Sequence, residues 1–369
     1  MSTGHPGTRH SLSRRELLGA AALSGLVAIS VLGRRCAHAA DGDRDSPPGR
    51  DEAVFKTRGV VVRPSDVRKW PWPEKAKAAG LTTIGTHVFP HEVAAFVETD
   101  DGQAFLEACR DLGIEVEHEL HAMNDLLPRD LFEKAPSMFR MNEEGERSAD
   151  CNLCVHSKEA VEVVCGNAVR YAEVLRPTTG RYFYWVDDGR PMCRCPKCKG
   201  LSDSDQALVL ENEMLKALRK ADPRATLAHL AYARTMTAPT QVQPEPGVFL
   251  EFAPIARRFD QPLSNRDAPR HAQYLDDLDA NLAVFGSEGA QALEYWLDES
   301  LFYRANQRKL TKIPWRRDVF LDDLATYGSR GIRHVTTFAV MVNADYVEQF
   351  GEPPVNEYGQ GLCEYQSPV

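Results

Sequence analysis

Two adjacent carboxylates end the clearest strand-like segment of the sequence. Residues 182–186 are Tyr-Phe-Tyr-Trp-Val, and Asp187, Asp188 and Gly189 follow directly. Hydrolysis of a glycosidic bond needs one carboxylic acid to protonate the leaving oxygen and a second group to stabilise or attack the anomeric carbon. Carboxyl groups held close together raise the pKa of one of them, which keeps a proton available near neutral pH. We therefore predict Asp187 and Asp188 as catalytic residues, with Glu294 as the alternative partner.

The competing interpretation of this pair is structural. Adjacent residues of a strand point to opposite faces, so both aspartates serve one site only if the chain already turns at Gly189. Otherwise Asp188 caps the turn and Asp187 binds backbone groups.

Five cysteines are grouped in two short segments. Cys193, Cys195 and Cys198 form a C-x-C-x-x-C sequence, and Cys151 and Cys154 form a C-x-x-C sequence. This spacing is typical of a tetrahedral zinc site, and it also suits disulfides, which form in proteins outside the cytoplasm. The spacing leaves both interpretations open. A closed thiolate site keeps no open coordination position, so a metal here is expected to be structural, and no cofactor is predicted for catalysis.

These residues need a scaffold that brings distant segments together. From residue 58 onward, apolar or β-branched runs alternate with amphipathic segments of helix length, which predicts parallel βα units. Eight strands are predicted, at residues 58–63, 81–89, 114–121, 181–188, 225–234, 248–253, 290–298 and 332–338. Helices are predicted at residues 103–112, 158–175, 206–221, 271–285 and 317–327. Eight strands favour a (β/α)8 TIM barrel over a doubly wound sheet, and the sequence has no G-x-G-x-x-G loop.

The carboxyl ends of the predicted strands carry many polar residues. Catalytic groups of a (β/α)8 barrel lie there, and strand alternation predicts which side chains point inward. In residues 293–298, the leucines and the tyrosine suit the helix layer, whereas Glu294, Trp296 and Asp298 suit the interior. The predicted substrate-binding residues are Arg63, His87, Glu119, His121, Trp185, Tyr232, Glu251, Trp296 and Asp298. Singly, each suits a satisfied core or capping position; together they favour a ligand site.

The N-terminal segment has the pattern of an export signal. Ser13, Arg14 and Arg15 precede an apolar run at residues 17–32, and a small-x-small cleavage site follows, which predicts a twin-arginine signal peptide over residues 1–39. The run is shorter than the roughly 20 residues that span a bilayer. We expect the twin-arginine translocase as a transient partner, a periplasmic or extracellular location, and no membrane association after cleavage.

The rest of the chain is acidic. The 369 residues include 44 Lys and Arg against 53 Asp and Glu, a net charge of −9. Removing residues 1–39 takes away five Arg and one Glu, which leaves 39 basic and 52 acidic residues and a charge of −13. Nucleic acids and anionic lipids are bound through clustered Lys and Arg, so neither is an expected partner.

Three segments together resemble a known family. Residues 185–189 (Trp-Val-Asp-Asp-Gly), the C-x-C-x-x-C loop and residues 228–232 (Ala-His-Leu-Ala-Tyr) resemble an uncharacterised bacterial family of glycosidase-like barrels. That family is a domain of unknown function related to α-glucuronidases and β-hexosaminidases. The resemblance covers residues 151–338 and implies an exported, carbohydrate-active barrel. The substrate and the acid/base pair of the family are not established, so the resemblance carries over only the neighbourhood of Asp188 and the cysteine loop. The doubled aspartate is more similar to the acid pair of O-GlcNAcase-type hexosaminidases than to the single Asp expected of the family.

The sequence is thus predicted to comprise a signal peptide (1–39), a disordered lead (40–53), a single barrel domain (54–345) and a C-terminal tail (346–369). Our first hypothesis is an exported glycoside hydrolase that acts on a carbohydrate substrate. The alternatives are a carbohydrate-binding barrel without catalysis, and a metal-dependent hydrolase or lyase with His87, His121 and Glu119 as metal ligands.

Overall fold

The computed structural model describes residues 53–304, 307 and 309–367. The predicted signal peptide and residues 40–52 of the predicted lead lie outside this part of the chain. Among the described helices, none combines the length and the apolar character needed to span a membrane.

Eight parallel strands close into a barrel in the order of the sequence. They are β1 (Thr57–Val62), β2 (Thr83–Val88), β3 (Glu115–His121), β4 (Arg181–Trp185), β5 (Thr226–Ala231), β6 (Val248–Phe252), β7 (Gln291–Glu294) and β8 (His334–Phe338). Strand β1 pairs with β2 on one side and with β8 on the other, so the sheet has no free edge. The closed barrel confirms the predicted (β/α)8 fold.

Helices follow the strands and surround the barrel. They are α1 (Pro64–Lys69), α2 (Trp72–Ala78), α3 (Pro90–Val97), α4 (Asp100–Leu112), α5 (Met123–Leu126), α6 (Lys158–Leu175), α7 (Asp203–Ala221), α8 (His271–Phe285), α9 (Arg317–Gly328), α10 (Ala344–Phe350) and α11 (Val355–Glu364). Local sequence determines several of their ends. The hydroxyl groups of Thr99, Ser157 and Ser202 cap α4, α6 and α7, and Gly113 ends α4 in the left-handed region at φ +64.

Strands β4 and β7 are shorter than predicted. Strand β4 ends at Trp185 instead of residue 188, and β7 ends at Glu294 instead of residue 298. Asp187, Asp188 and Asp298 therefore lie on the loops that follow the strands, where strand alternation no longer controls which way a side chain points.

The barrel has two separate apolar cores. One lies between the strands and the surrounding helices. The other fills the barrel lumen and consists of Val61, Phe183, Trp185, Ala228, Leu230, Phe249, Ala253, Leu293, Tyr295, Phe338 and Val340. The lumen is therefore packed rather than open, and a ligand can enter only above this layer.

Below the lumen core lies a buried polar cluster, the lumen cluster, formed by Glu117, Glu119, Arg181, Glu251 and Gln291. Arg181 donates to Oε1 of Gln291 at 2.9 Å, and its Nε lies 3.4 Å from Oε1 of Glu117. The Arg181 guanidinium also lies 4.0 Å from the centroid of the Phe249 ring. One cation thus links strands β3, β4, β6 and β7 from inside.

The C-terminal segment belongs to the outer layer of the barrel. In α11, the hydroxyl of Tyr358 donates to the carbonyl of Gly59 in β1 at 2.7 Å. Gly359 packs so closely on α2 that a Cβ there would lie 2.0 Å from the carbonyl oxygen of Ala79. Residues 346–364, which sequence analysis set apart as a tail, therefore contribute two helical segments that pack against the fold.

Candidate active site

A cavity of about 170 Å³ opens at the carboxyl ends of the strands. Seven of the residues predicted for catalysis or substrate binding line it: Arg63, His87, His121, Trp185, Asp188, Tyr232 and Asp298. They come from the ends of β1 to β5 and β7 or from the loops that follow. Pockets for drug-sized ligands measure roughly 300–1,000 Å³, so this cavity suits a ligand of monosaccharide size.

The two adjacent aspartates have different surroundings. Asp188 lines the cavity beside Tyr232, whose pKa it helps to raise. Asp187 turns away from the cavity, where its Oδ2 accepts from the backbone N–H of Asn152 at 2.6 Å and from Arg129 at 3.2 Å. The prediction that both aspartates face the site is therefore wrong for Asp187, because the donors of the preceding loop hold it outside.

Asp298 is the second carboxylate on the cavity. Its Oδ1 accepts from the backbone N–H of Ser300 at 3.0 Å and from the Ser300 hydroxyl at 2.6 Å. Burial raises the pKa of Asp298 to about 6, an effect that these hydrogen bonds and the charge of Arg63 oppose. Asp298 was predicted as a substrate-binding residue, and its environment gives it the properties of a proton donor near neutral pH.

Glu294 does not reach the cavity, contrary to its predicted inward orientation. It is fully buried on the helix side of β7, where it accepts from the hydroxyl of Tyr327 at 2.5 Å and from Arg257 at 3.3 Å. Burial raises its pKa to about 7. Glu294 therefore belongs to a buried polar network between the sheet and α9.

Trp296 is misplaced in the same way. Its indole Nε1 donates to Asp323 of α9 at 3.0 Å, and its ring packs against Phe320 and Tyr358. The predicted inward and outward faces were reversed for residues 293–296, since Leu293 and Tyr295 line the cavity instead, whereas Asp298 lines it as predicted.

Glu119 and Glu251 point inward as predicted, but they lie beneath the cavity floor. Glu251 accepts from Nε1 of Trp185 at 2.8 Å and from Nε2 of Gln291 at 3.0 Å, and Gln291 also lies 3.3 Å from Glu119. Burial raises the pKa of Glu251 to about 8 and raises that of Glu119 as well. Neither carboxyl group lines the cavity, so their predicted contact with substrate is not borne out by the geometry.

Two neutral histidines form one wall of the cavity. Nδ1 of His87 and Nδ1 of His121 each donate to a backbone carbonyl, of Glu119 and Val186 respectively, at 2.7 Å. Each ring therefore keeps Nε2 as an acceptor. Burial lowers the pKa of His87 to about 3 and also lowers that of His121. Because the Glu119 carboxylate lies under the floor, the three ligands predicted for a catalytic metal do not converge.

Four of the five grouped cysteines do converge. The sulfur atoms of Cys154, Cys193, Cys195 and Cys198 all lie within 4.8 Å of one another, and Cys154 is 3.7 Å from Cys195 and 3.8 Å from Cys198. This four-cysteine cluster could hold a metal ion. Cys151, predicted as a fifth member, lies outside it, with its sulfur 3.8 Å from the carbonyl of Pro191.

A comparison with protein families identifies the family of this chain. The family described as "Domain of unknown function (DUF4838)" matches residues 75–285. The chain belongs to this family. The match confirms the family resemblance inferred from residues 185–189 and the cysteine loop. A comparison of this DUF4838 chain with curated proteins finds no match.

Solved structures similar to the DUF4838 chain include glycoside hydrolases. The match to a family 20 β-N-acetylglucosaminidase covers 85% of this chain and 71% of the other chain, at 12% identity and a TM-score of 0.49. The match to a β-galactosidase from the psychrophilic Marinomonas ef1 covers 84% of this chain and 59% of the other chain, at 11% identity and a TM-score of 0.50. The chain thus spans less than two thirds of the β-galactosidase. At this identity the likeness to the β-galactosidase supports the barrel fold alone.

Several residues on the cavity of the DUF4838 chain were missed by sequence reasoning. Tyr295 and Phe338 stack with ring centroids 5.2 Å apart, and Leu230, Leu293 and Ser300 also line the cavity. Alternation along β8 could have identified Phe338, since Thr336 two residues earlier also faces the lumen, where it lies 3.2 Å from Gln291. No local pattern identifies Tyr295, because its neighbours Glu294 and Trp296 were the stronger candidates.

Proposed function

We propose that the chain is an exported glycoside hydrolase in which Asp298 donates a proton and Asp188 acts as nucleophile or base. The observation that carries the proposal is that these two carboxyl groups, from the loops after β7 and β4, line one cavity at the carboxyl end of a closed barrel. A pair of carboxyl groups flanking one ligand is the minimum that glycosidic hydrolysis requires.

The surroundings of the two carboxyl groups support different roles for them. Asp298 is buried, with a pKa raised to about 6, so a fraction remains protonated near neutral pH. Its proton would pass to the glycosidic oxygen as the bond to the anomeric carbon breaks. Asp188 lies beside Tyr232 on the cavity, and its carboxylate would stabilise or attack the anomeric carbon, or activate the incoming water.

The walls of the cavity support a sugar as the ligand. Trp185, Tyr232, Tyr295 and Phe338 present aromatic surface, and the two histidine Nε2 atoms are acceptors suited to hydroxyl donors. A sugar ring offers this combination of an apolar face and hydroxyl groups at its edge. The small volume supports binding of a single terminal sugar rather than the interior of a long chain.

The test is hydrolysis of a panel of aryl glycosides and uronides by wild type, Asp188→Asn and Asp298→Asn. Loss of a general acid or base typically costs about 10²- to 10⁴-fold in rate, so we expect at least 10² for each variant. Asp298→Asn should lose least on substrates whose leaving group needs no protonation, such as a 2,4-dinitrophenyl glycoside. External azide should restore turnover to Asp188→Asn if Asp188 is the nucleophile. Activity unchanged in both variants would refute the assignment.

A carbohydrate-binding barrel without catalysis is the second candidate. The observation that favours it is that two predicted catalytic carboxylates are bound elsewhere, Asp187 by Arg129 and Glu294 by Arg257. Saturable binding of a sugar by the wild-type protein, with no cleavage of any glycoside in the panel, would select this candidate over the hydrolase.

We also propose that the four-cysteine cluster holds a structural zinc ion. Four thiolates at the usual Zn–S distance of about 2.3 Å form a tetrahedron with edges of about 3.8 Å. The separations of Cys154 from Cys195 and Cys198, 3.7 and 3.8 Å, fit this geometry and far exceed a disulfide bond of about 2.05 Å. Export by the twin-arginine route suits such a site, because the protein would cross the membrane already folded around metal acquired in the cytoplasm.

A further inference from the structure

Arg63 is the only Lys or Arg among the described residues that line the cavity. Within the described part of the chain, its guanidinium has no carboxylate oxygen within the 4.0 Å of an ion pair. Its Nε is buried and has no hydrogen-bond partner there either. Arg63 as a whole is half-buried, and a buried donor such as its Nε is unfavourable without a partner, so this side chain is poised for an acceptor that a ligand supplies.

The carboxylates around Arg63 already have other donors. Asp66 accepts from the side chain of Asn343 at 2.8 Å and from the backbone N–H of Arg63 itself at 3.4 Å. Asp298 accepts two hydrogen bonds from Ser300. These contacts fix the backbone of Arg63 at the start of α1 and leave its guanidinium facing the cavity.

The other polar groups of the cavity are chiefly acceptors. His87 and His121 present Nε2, because their Nδ1–H groups donate to backbone carbonyls, and Asp188 and Asp298 present carboxyl oxygens. Hydroxyl groups of a sugar can donate to these groups, whereas a negatively charged group would be repelled by the Asp188 carboxylate. Among the described residues that line the cavity, Arg63 therefore offers the only full positive charge to a negative group of the ligand.

We infer that the cavity takes a carboxylated sugar, a uronic acid, whose carboxylate pairs with the Arg63 guanidinium. The inference rests on the proposed function and names its substrate class. A guanidinium matches a carboxylate through two parallel N–H···O bonds, and such charge-assisted pairs are stronger than neutral ones. The apolar faces of the sugar would lie against Trp185 and Tyr295, as proposed for any pyranose.

The test compares matched substrates that differ only at C6. Wild type, Arg63→Lys, Arg63→Gln and the control Arg110→Gln are assayed on 4-nitrophenyl glucuronides and galacturonides and on the corresponding glucosides and galactosides, with both anomers. Arg110 is an exposed residue of α4 paired with Asp111, so its loss controls for removal of a surface charge. Wild type should prefer one uronide over its neutral partner in kcat/KM. Arg63→Gln should reduce that preference roughly 10- to 100-fold, Arg63→Lys less, and Arg110→Gln should leave it unchanged.

Calorimetric binding of free glucuronic and galacturonic acid, against glucose and galactose, separates this inference from the proposed hydrolysis. Preferential binding of a uronic acid that Arg63→Gln abolishes supports the inference even if no glycoside is cleaved. Absence of cleavage would then count against the proposed hydrolase and not against the uronic acid as ligand. Equal affinity for acidic and neutral sugars, or an unchanged preference in a folded Arg63→Gln variant, would overturn it. Cleavage of neutral glycosides only would overturn the inference and leave the hydrolase standing.

Discussion

At the scale of single residues, neighbours in sequence have unlike roles. Asp187 and Asp188 are adjacent, yet Asp187 is bound by Arg129 and Asn152 while Asp188 lines the cavity. Only one of two consecutive side chains can easily face one site, and the other is available to fix the loop. The second carboxyl group on the cavity, Asp298, lies more than a hundred residues further along the chain.

The pH dependence of hydrolysis should reflect Asp298. Its raised pKa of about 6 means that the protonated form, which the proposed donor requires, is lost as pH rises through that value. We expect kcat/KM to decline above about pH 6 by up to tenfold per pH unit, as measured in a pH series on an aryl glycoside. Asp298→Asn should have a lower kcat/KM that no longer declines above pH 6. A profile that stays flat to pH 8 would contradict Asp298 as the donor.

At the scale of elements, two loops support the end of β4. The loop after β3 contributes Asn152, whose side-chain oxygen accepts from the N–H of Asp187 at 2.9 Å while its N–H donates to the Asp187 carboxylate at 2.6 Å. The same loop contributes Cys154 to the cluster, and the loop after β4 contributes the other three cysteines. Two hydrogen bonds between Asn152 and Asp187 thus connect the segment that carries Cys154 to the residue next to Asp188.

Asp187 should act as a positioning residue. Asp187→Ala removes a largely buried carboxylate that accepts charge-assisted bonds from Arg129 and Asn152, which we expect to lower the free energy of unfolding by about 1.5–3 kcal/mol. Hydrolysis should fall less than in Asp188→Asn and retain its pH profile. Chemical denaturation and a pH series check this, with the exposed Asp111→Ala as control. A loss of activity equal to that of Asp188→Asn would instead indicate direct participation in catalysis.

Zinc content should depend on four cysteines and not on the fifth. We expect one zinc per chain after purification under reducing conditions. It should be lost in Cys198→Ser and retained in Cys151→Ser, because Cys198 belongs to the four-cysteine cluster and Cys151 does not. Elemental analysis measures the metal, and thermal unfolding should show a lower Tm when it is removed by a chelator. Metal-free protein with full stability, or equal loss of zinc in both variants, would refute the proposed site.

At the scale of the whole molecule, the lumen cluster links the barrel from inside. Glu119, Glu251 and Glu117 are all fully buried on two strands with one guanidinium, Arg181, among them. Burial is the main reason why the pKa of each carboxyl group is raised. The folded barrel therefore retains protons that the unfolded chain would release.

The contribution of the lumen cluster to stability should consequently decline with rising pH. Glu251 has a pKa of about 8 when folded and near 4.5 when exposed, so between these values the folded state binds more protons and the free energy of unfolding falls as pH rises. Denaturation of wild type and Glu251→Gln at pH 5, 7 and 9 separates this contribution from that of the buried histidines, whose lowered pKa values act in the opposite direction. The difference in stability between wild type and Glu251→Gln should shift against wild type as pH rises, whereas the difference between wild type and Glu213→Gln, an exposed residue of α7, should stay constant. A constant difference between wild type and Glu251→Gln from pH 5 to 9 would contradict a protonated lumen cluster.

The sequence alone determined the fold class and much of the site. Alternation of strand and helix patterns predicted eight βα units, and two helices, α6 and α8, were predicted with their observed bounds. Polar residues at strand ends identified seven members of the cavity, and cysteine spacing identified the four-cysteine cluster together with one residue outside it. These features are local, since periodicity and spacing depend on residues close in the chain.

Only the tertiary structure decided which face of β7 points inward and which aspartate of the pair reaches the cavity. The phase of β7 depends on Gln291, which pairs with Glu251 of β6 in the sheet register and binds the lumen cluster, so Leu293 and Tyr295 follow it inward. Glu294 is tolerated on the other side because Arg257 and Tyr327, distant in sequence, satisfy it there. Burial of a charge depends on partners that folding brings together, and a local pattern contains no information about them.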